Sequence, residues 1–261
     1  MSDVRIISLY SGSTGNSFVI SSPSGTLLID AGKNAKRLCT ALAEVGIDAD
    51  SIGAILVTHE HTDHVSALPV FLKKHPVPVH IAYGCAYKLL PHPSVEPLLN
   101  MHPPIHEECI CGMRVTSFPT PHDSRASVGY RIEILDEDKN VTYRIGYATD
   151  IGYVTPEIEE GLMGCDAVIL ESNHDYEMLM TGPYPYDLKK RIASRRGHLS
   201  NPDSAALAAR LCVKGTKKLM LAHLSQENNA PDLAYDECVS AVGDADVKIF
   251  VAHPEIPTEM L

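Results

Sequence analysis

A short apolar run, Ala54-Ile55-Leu56-Val57, opens directly onto Thr58-His59-Glu60-His61-Thr62-Asp63-His64. The run reads as a buried strand, and the residues that follow are too dense in ligating side chains for an ordinary solvated loop. His59 and His61 are two apart and can point the same way from an extended segment, whereas the adjacent Asp63 and His64 diverge. That spacing serves two metal ions. Other strands end in the same manner: residues 141–148 lead to Thr149-Asp150, 167–170 to Glu171-Ser172-Asn173-His174-Asp175, and 218–222 to His223. Four apolar strands ending in His or Asp gather those side chains along one edge of the sheets.

The rest of the chain fits a mixed α/β architecture. Residues 4–9, 18–21 and 26–30 read as short strands, the first turn being Ser11-Gly12-Ser13-Thr14-Gly15-Asn16, so an antiparallel start is expected. Asn34 can cap a helix whose apolar positions Leu38, Leu42 and Val45 keep a helical period until Gly46. Residues 128–135 and 141–148 form a hairpin across Asp136-Glu137-Asp138-Lys139-Asn140. Asn201, followed by Pro202 in the first turn, is read as the cap of a helix over 205–213 that stops at Gly215. A helix from about 231 and a strand at 247–251 close the chain. The proline-rich stretch 69–118 supports only short strands at 79–82 and 113–118, and His75, His80, His92, His102 and His106 within it receive no role. No repeat, linker or low-complexity tract appears, so residues 1–261 are expected to form one domain with helices covering sheets.

Composition narrows the function. With 44% hydrophobic residues and no stretch near the ~18 apolar residues of a membrane span, a soluble globular protein without membrane association is expected. No basic segment followed by a sustained apolar run opens the chain, and its seven cysteines lack framework spacing, so a reducing cytoplasm is the expected setting. Cys109-Ile110-Cys111 is too tight for a CxxC motif. The 22 Lys and Arg against 33 Asp and Glu give a net charge of -11, a handicap for binding polyanions unless metal ions or a local basic patch reverse the field.

The HxHxDH pattern at His59–His64 resembles the signature of the metallo-β-lactamase-fold hydrolases, and the other motifs of that family follow in order. Leu27-Leu28-Ile29-Asp30-Ala31-Gly32 matches its early aspartate motif, Pro121-His122-Asp123 its next histidine, Asp150 its bridging carboxylate and His223 its last ligand. The resemblance implies a four-layer αββα sandwich with two divalent metals, zinc or manganese, with iron a third candidate. It places His59, His61 and His122 on one metal, Asp63, His64 and His223 on the other, and Asp150 between them. Asp30 supports the histidine loop. A bridging hydroxide, oriented by Asp63, is the implied nucleophile. Flavodiiron relatives typically carry a carboxylate where this chain has His61, which favours hydrolysis.

Four further motifs, Ser11-Gly12-Ser13-Thr14-Gly15-Asn16-Ser17, Glu171-Ser172-Asn173-His174-Asp175, Gly197-His198-Leu199-Ser200-Asn201 and His223-Leu224-Ser225-Gln226-Glu227-Asn228-Asn229, look like the YycJ/WalJ family. Its members are regarded as bacterial cytoplasmic nucleases, associated with 5′-to-3′ exonuclease activity on double-stranded DNA. The residues add support: Lys189, Lys190, Arg191, Arg195 and Arg196 form an island of positive charge, and Ser200-Asn201-Pro202 opens a helix whose free amides suit a phosphate. His198 beside it is assigned as electrophile or general acid. Ser13, Asn16, His174, Ser200, Asn228 and Asn229 are candidate substrate contacts. Nucleic acid, DNA ahead of RNA, is the expected partner, with oligomeric state left open. The alternative is a thioester or lactam hydrolase, since the metal motifs serve acyl and phosphoryl substrates alike. Only 73 positions separate Asp150 from His223, too few for the inserted domain of the β-CASP nucleases.

Overall fold

Glycine and serine turns cut the start of the chain into three strands, Arg5–Tyr10 (β1), Ser17–Ser22 (β2) and Gly25–Ile29 (β3). They pair antiparallel, with Ile7 opposite Val19 and Val19 opposite Leu28. The computed structural model describes residues 4–261. Contacts divide the chain into two compact units: the first holds the chain up to Thr116 with Ser124–Val128 and His253–Leu261, the second Ser117–Asp123 and Gly129–Ala252.

In the first unit the helix Ala35–Glu44 (α1) follows β3, and the Asn34 side chain accepts from Arg37 N at its start. Ile52–Val57 (β4), the short helices Thr62–Val65 (α2) and Leu68–Phe71 (α3), Val79–Ala82 (β5) and Leu99–His102 (β6) come next. From β3 to β6 neighbouring strands run parallel. Leu28, Ile55 and Val57 of the sheet pack into one buried cluster with Leu38 and Leu42 of α1 and Phe71 of α3. Parallel strands buried in this way read as continuous apolar runs rather than as alternation, which is why β4 stands out in the sequence.

His106–Ile110 (β7) and Met113–Pro119 (β8) are neighbours joined by Cys111-Gly112. Both turn residues have positive φ, 50° and 73°, the conformation a two-residue hairpin turn requires and glycine adopts freely. Residues 117–119 at the end of β8 belong to the second unit. There Val128–Leu135 (β9) and Val141–Ala148 (β10) form the antiparallel hairpin, with Ile145 opposite Ile132. Pro156–Leu162 (α4), Ala167–Glu171 (β11), Tyr176–Thr181 (α5), Tyr186–Ile192 (α6), Asn201–Val213 (α7), Lys218–Ala222 (β12), Pro231–Val242 (α8) and Lys248–Val251 (β13) follow. β10, β11, β12 and β13 run parallel. Ile158, Leu162, Leu207, Leu211, Leu219 and Leu221 share this unit's core. The last strand, Thr258–Glu259 (β14), returns to pair with β1 in the first unit.

One local expectation is corrected. The cap of α7 is Ser200, not Asn201: the Ser200 hydroxyl reaches Asp203 N, while the Asn201 amide is spent on Ser172 and Asn229. The stretch 69–118 holds β6 and β7 as well as the strands read from sequence. Among the described residues no helix is long and apolar enough to cross a membrane.

Candidate metal centre

Three corners of the backbone set the geometry. Asp30, Asp150 and His223, each just past the end of a strand, have φ of 58°. Residues other than glycine take this left-handed conformation rarely and at a cost of about 1–2 kcal/mol, and such corners cluster at functional sites.

In the first unit Asp30 is wholly buried at the end of β3. Its Oδ1 accepts from Thr58 N at 2.8 Å and its Oδ2 from the Thr58 hydroxyl at 2.8 Å. His64 Nδ1 lies 2.7 Å from the same Oδ2, and His59 Nδ1 lies 3.0 Å from Thr58 Oγ1. One carboxylate thus fixes both imidazoles, one directly and one through Thr58, and with both Nδ1 atoms donating, each Nε2 keeps its lone pair for a metal. Burial pushes the Asp30 carboxyl up from its ordinary value, with His64 and Thr58 pulling the other way. The His59 ring lies 4.5 Å from that of His61 and 4.1 Å from that of His64. Asp63 Oδ2 sits 3.3 Å from His64 Nε2 and accepts from Asn16 Nδ2 at 3.2 Å.

Gly32 is required here. Asp63 O accepts from Asn16 N, and a Cβ on Gly32 would fall 1.9 Å from that oxygen, so the histidine loop reaches the first turn only across a residue with no side chain. Asn16 is buried, and its amide also closes the turn through Gly12 N and O. Ser13 is exposed in the same turn.

In the second unit His122, Asp150, Glu171, His198 and His223 come together. Asp150 Oδ1 has His122 Nε2 and His223 Nε2 on either hand, each at 3.6 Å. The opposite ring nitrogens are held: His122 Nδ1 donates to Gly197 O at 3.0 Å and His223 Nδ1 to Glu171 Oε1 at 3.1 Å. Burial keeps His122 below the ordinary histidine pKa and therefore neutral, the form that ligates. His198 Nδ1 meets the same Glu171 Oε1 at 2.8 Å, and its ring stacks on that of His223 at 5.1 Å.

Glu171 is the residue that reading the sequence missed. Its Oε2 accepts from Ile151 N at 2.7 Å and Leu199 N at 3.1 Å, so one buried carboxylate ties the loop after β10 and the loop between α6 and α7 to two imidazoles. Burial alone would raise its pKa, but the His198 charge and the hydrogen bonds from His198 and His223 outweigh it and hold Glu171 well below the usual carboxylate range. Its signals in the sequence were its place at the end of a buried strand and at the head of the Glu171-Ser172-Asn173-His174-Asp175 motif.

Of the candidate substrate contacts in this unit, His174, Asn228 and Asn229 are buried. His174 bridges to Ser200 through the backbone. Asn229 Nδ2 donates to Ser172 O and Asn201 Oδ1, and Asn228 Nδ2 to Ser225 Oγ. Ser200 Oγ donates to Asp203 Oδ2 at 2.7 Å, so the helix start already faces a carboxylate. The basic island stays largely exposed yet anchored: Lys189 Nζ donates to Met180 O, Arg191 to Asp123, Arg196 Nε to His122 O, while Lys190 and Arg195 lie over Tyr186 and Tyr153.

The donor set fits divalent metal: imidazoles with Nδ1 engaged, and carboxylates already hydrogen-bonded, are the ligand types zinc and manganese take. A family model, the Beta-lactamase superfamily domain, matches residues 26–224. The chain is 32% identical to exodeoxyribonuclease WalJ of Streptococcus pneumoniae, over 97% of this chain and 95% of that protein. It belongs to the WalJ/YycJ family of that superfamily. Exodeoxyribonuclease YycJ of Bacillus anthracis is also 32% identical, over 97% of this chain and 96% of that protein. Among solved structures, the metallo-β-lactamase fold protein YhfI from Bacillus subtilis superimposes with a TM-score of 0.73 at 15% identity, covering 98% of this chain and 100% of that one. This chain has the metallo-β-lactamase fold, an α/β fold with two mixed sheets.

Proposed function

We propose that the protein is a metal-dependent exonuclease that hydrolyses DNA from the 5′ end, with the double strand as preferred substrate. The observation that carries this reading is Asp150 Oδ1 flanked at 3.6 Å by His122 Nε2 and His223 Nε2, in a chain whose relatives are named exodeoxyribonucleases. His59, His61 and His122 would hold one divalent ion, Asp63, His64 and His223 a second, and Asp150 both. Two such ions, zinc or manganese, would supply a nucleophile from water at neutral pH and neutralise charge on the scissile phosphate.

The chain's own groups do the rest. Asp63, steadied by Asn16, orients the attacking water. His198, when protonated, carries a proton on Nε2 while its Nδ1–H stays on Glu171, so the buried carboxylate stabilises the imidazolium that delivers a proton to the leaving oxygen. The exposed cations Lys190, Arg191, Arg195 and Arg196 steer the DNA backbone toward a protein of net charge -11. Ser13, exposed in its turn, offers a phosphate contact, while Asn16, His174, Asn228 and Asn229 act by holding loops. We place the protein in the cytoplasm, its seven cysteines being thiols.

End-labelled single- and double-stranded DNA and RNA, incubated with zinc, manganese or a chelator, test the reading. Release of nucleotides from the 5′ end of duplex DNA, abolished by chelation, is expected. Turnover of a thioester or lactam with no nuclease activity under any metal would overturn it.

A further inference from the structure

Outside the centre described above, the first unit gathers histidines from the proline-rich stretch. β5 and β6 pair in parallel with His80 opposite Asn100, so His102, two residues on, shares a sheet face with His80. Pro103-Pro104-Ile105 then leads the chain into β7, which carries His106 and Glu108. His80 Nδ1 lies 3.0 Å from His102 Nε2. Glu108 Oε2 lies 3.5 Å from the first and 3.7 Å from the second.

These three atoms form a triangle whose corners are all about 2.0 Å from one central point, which is the bond length zinc makes to imidazole and carboxylate. Ligands on a tetrahedral zinc lie about 3.3 Å from each other, close to the three edges. The support is present too: His106 Nε2 sits 3.3 Å from Glu108 Oε2, and its ring stacks on His102 at 4.0 Å, so the carboxylate and one imidazole are braced from outside the triangle. His80 is 9% exposed, which fixes one ligand in the sheet.

We propose that His80, His102 and Glu108 form an accessory transition-metal site, suited to zinc, that ties β5 and β6 to β7. Three protein ligands leave a fourth position for water. The site is separate from the exonuclease residues, and its occupancy adds stability to the strands it joins rather than turnover.

Zinc uptake by the full chain, measured by competition with a chromophoric chelator, tests this in wild type, His102→Ala and Glu108→Gln. Wild type should bind one zinc equivalent more than His102→Ala, with nuclease turnover unchanged between them. Glu108→Gln, which keeps shape and loses charge, should weaken that one equivalent tenfold or more. Added zinc should raise the melting temperature of wild type further than that of His102→Ala. Identical zinc stoichiometry and affinity in all three chains would overturn the site in favour of a metal-free hydrogen-bonded network. Crystals of the wild-type chain grown in zinc answer without any variant: an anomalous peak between His80 Nδ1 and His102 Nε2 supports the site, and none at saturating zinc refutes it.

Discussion

Two imidazoles and two backbone amides converge on the Glu171 carboxylate, which makes it a positioning group for the candidate site. Glu171→Gln keeps the volume but removes the charge and one acceptor, leaving His198 and His223 to compete for what remains. Turnover on DNA should fall about 10–100-fold, with metal content reduced but not abolished; full activity with full metal would deny the positioning role. His198→Ala should lose turnover on DNA without releasing metal, and lose less on a nitrophenyl diester, whose leaving group departs unprotonated. Equal losses on both substrates would make His198 a binding contact instead of an acid. The candidate ligands His59, His61, Asp63 and His64 were legible because close spacing is a signal, all four standing within six positions. Glu171, His198 and His223 meet only in three dimensions, as do His80 and His102, and spacing says nothing of such meetings.

The secondary structure was legible where one buried face imposes a period or an apolar run, as in β4, the β9–β10 hairpin and α1. It was illegible from 83 to 110, where β6 and β7 are short, half-exposed strands whose pairing is set by distant partners rather than local pattern. The basic island on and after α6 gains detail from the structure. Lys189 and Arg191 are tied to Met180 and to Asp123 beside His122, so replacing them would disturb the loop that carries His122 as well as the field. Lys190 and Arg195 stand over tyrosine rings and bond neither ligand. Converting both to serine should lower the slope of log affinity against log salt by about 1 per cation and leave a small diester's hydrolysis intact. An unchanged slope would remove them from the DNA path.

For the molecule as a whole, burial predicts which thiols react. The Cys85 and Cys238 thiols are pushed up to about 12 and Cys165 to about 11, chiefly by burial, whereas Cys109 is exposed. Iodoacetamide should therefore modify Cys109 in the folded protein and reach the other three only in denaturant, as peptide mapping by mass spectrometry would read. Native labelling of Cys85 at the Cys109 rate would contradict the packing.

The left-handed corner at Asp150 carries a consequence for how such a protein can be improved. Glycine would adopt φ of 58° without strain and would remove one buried carboxylate, so Asp150→Gly, though inactive, should melt a few °C above wild type when both are stripped of metal. A lower melting point in chelator would show that the carboxylate's contacts outweigh the strain. Screens that reward thermal tolerance alone would then drift toward glycine at this corner, and stabilising the enzyme without losing it requires holding Asp30, Asp150 and His223 fixed while the rest of the chain is varied.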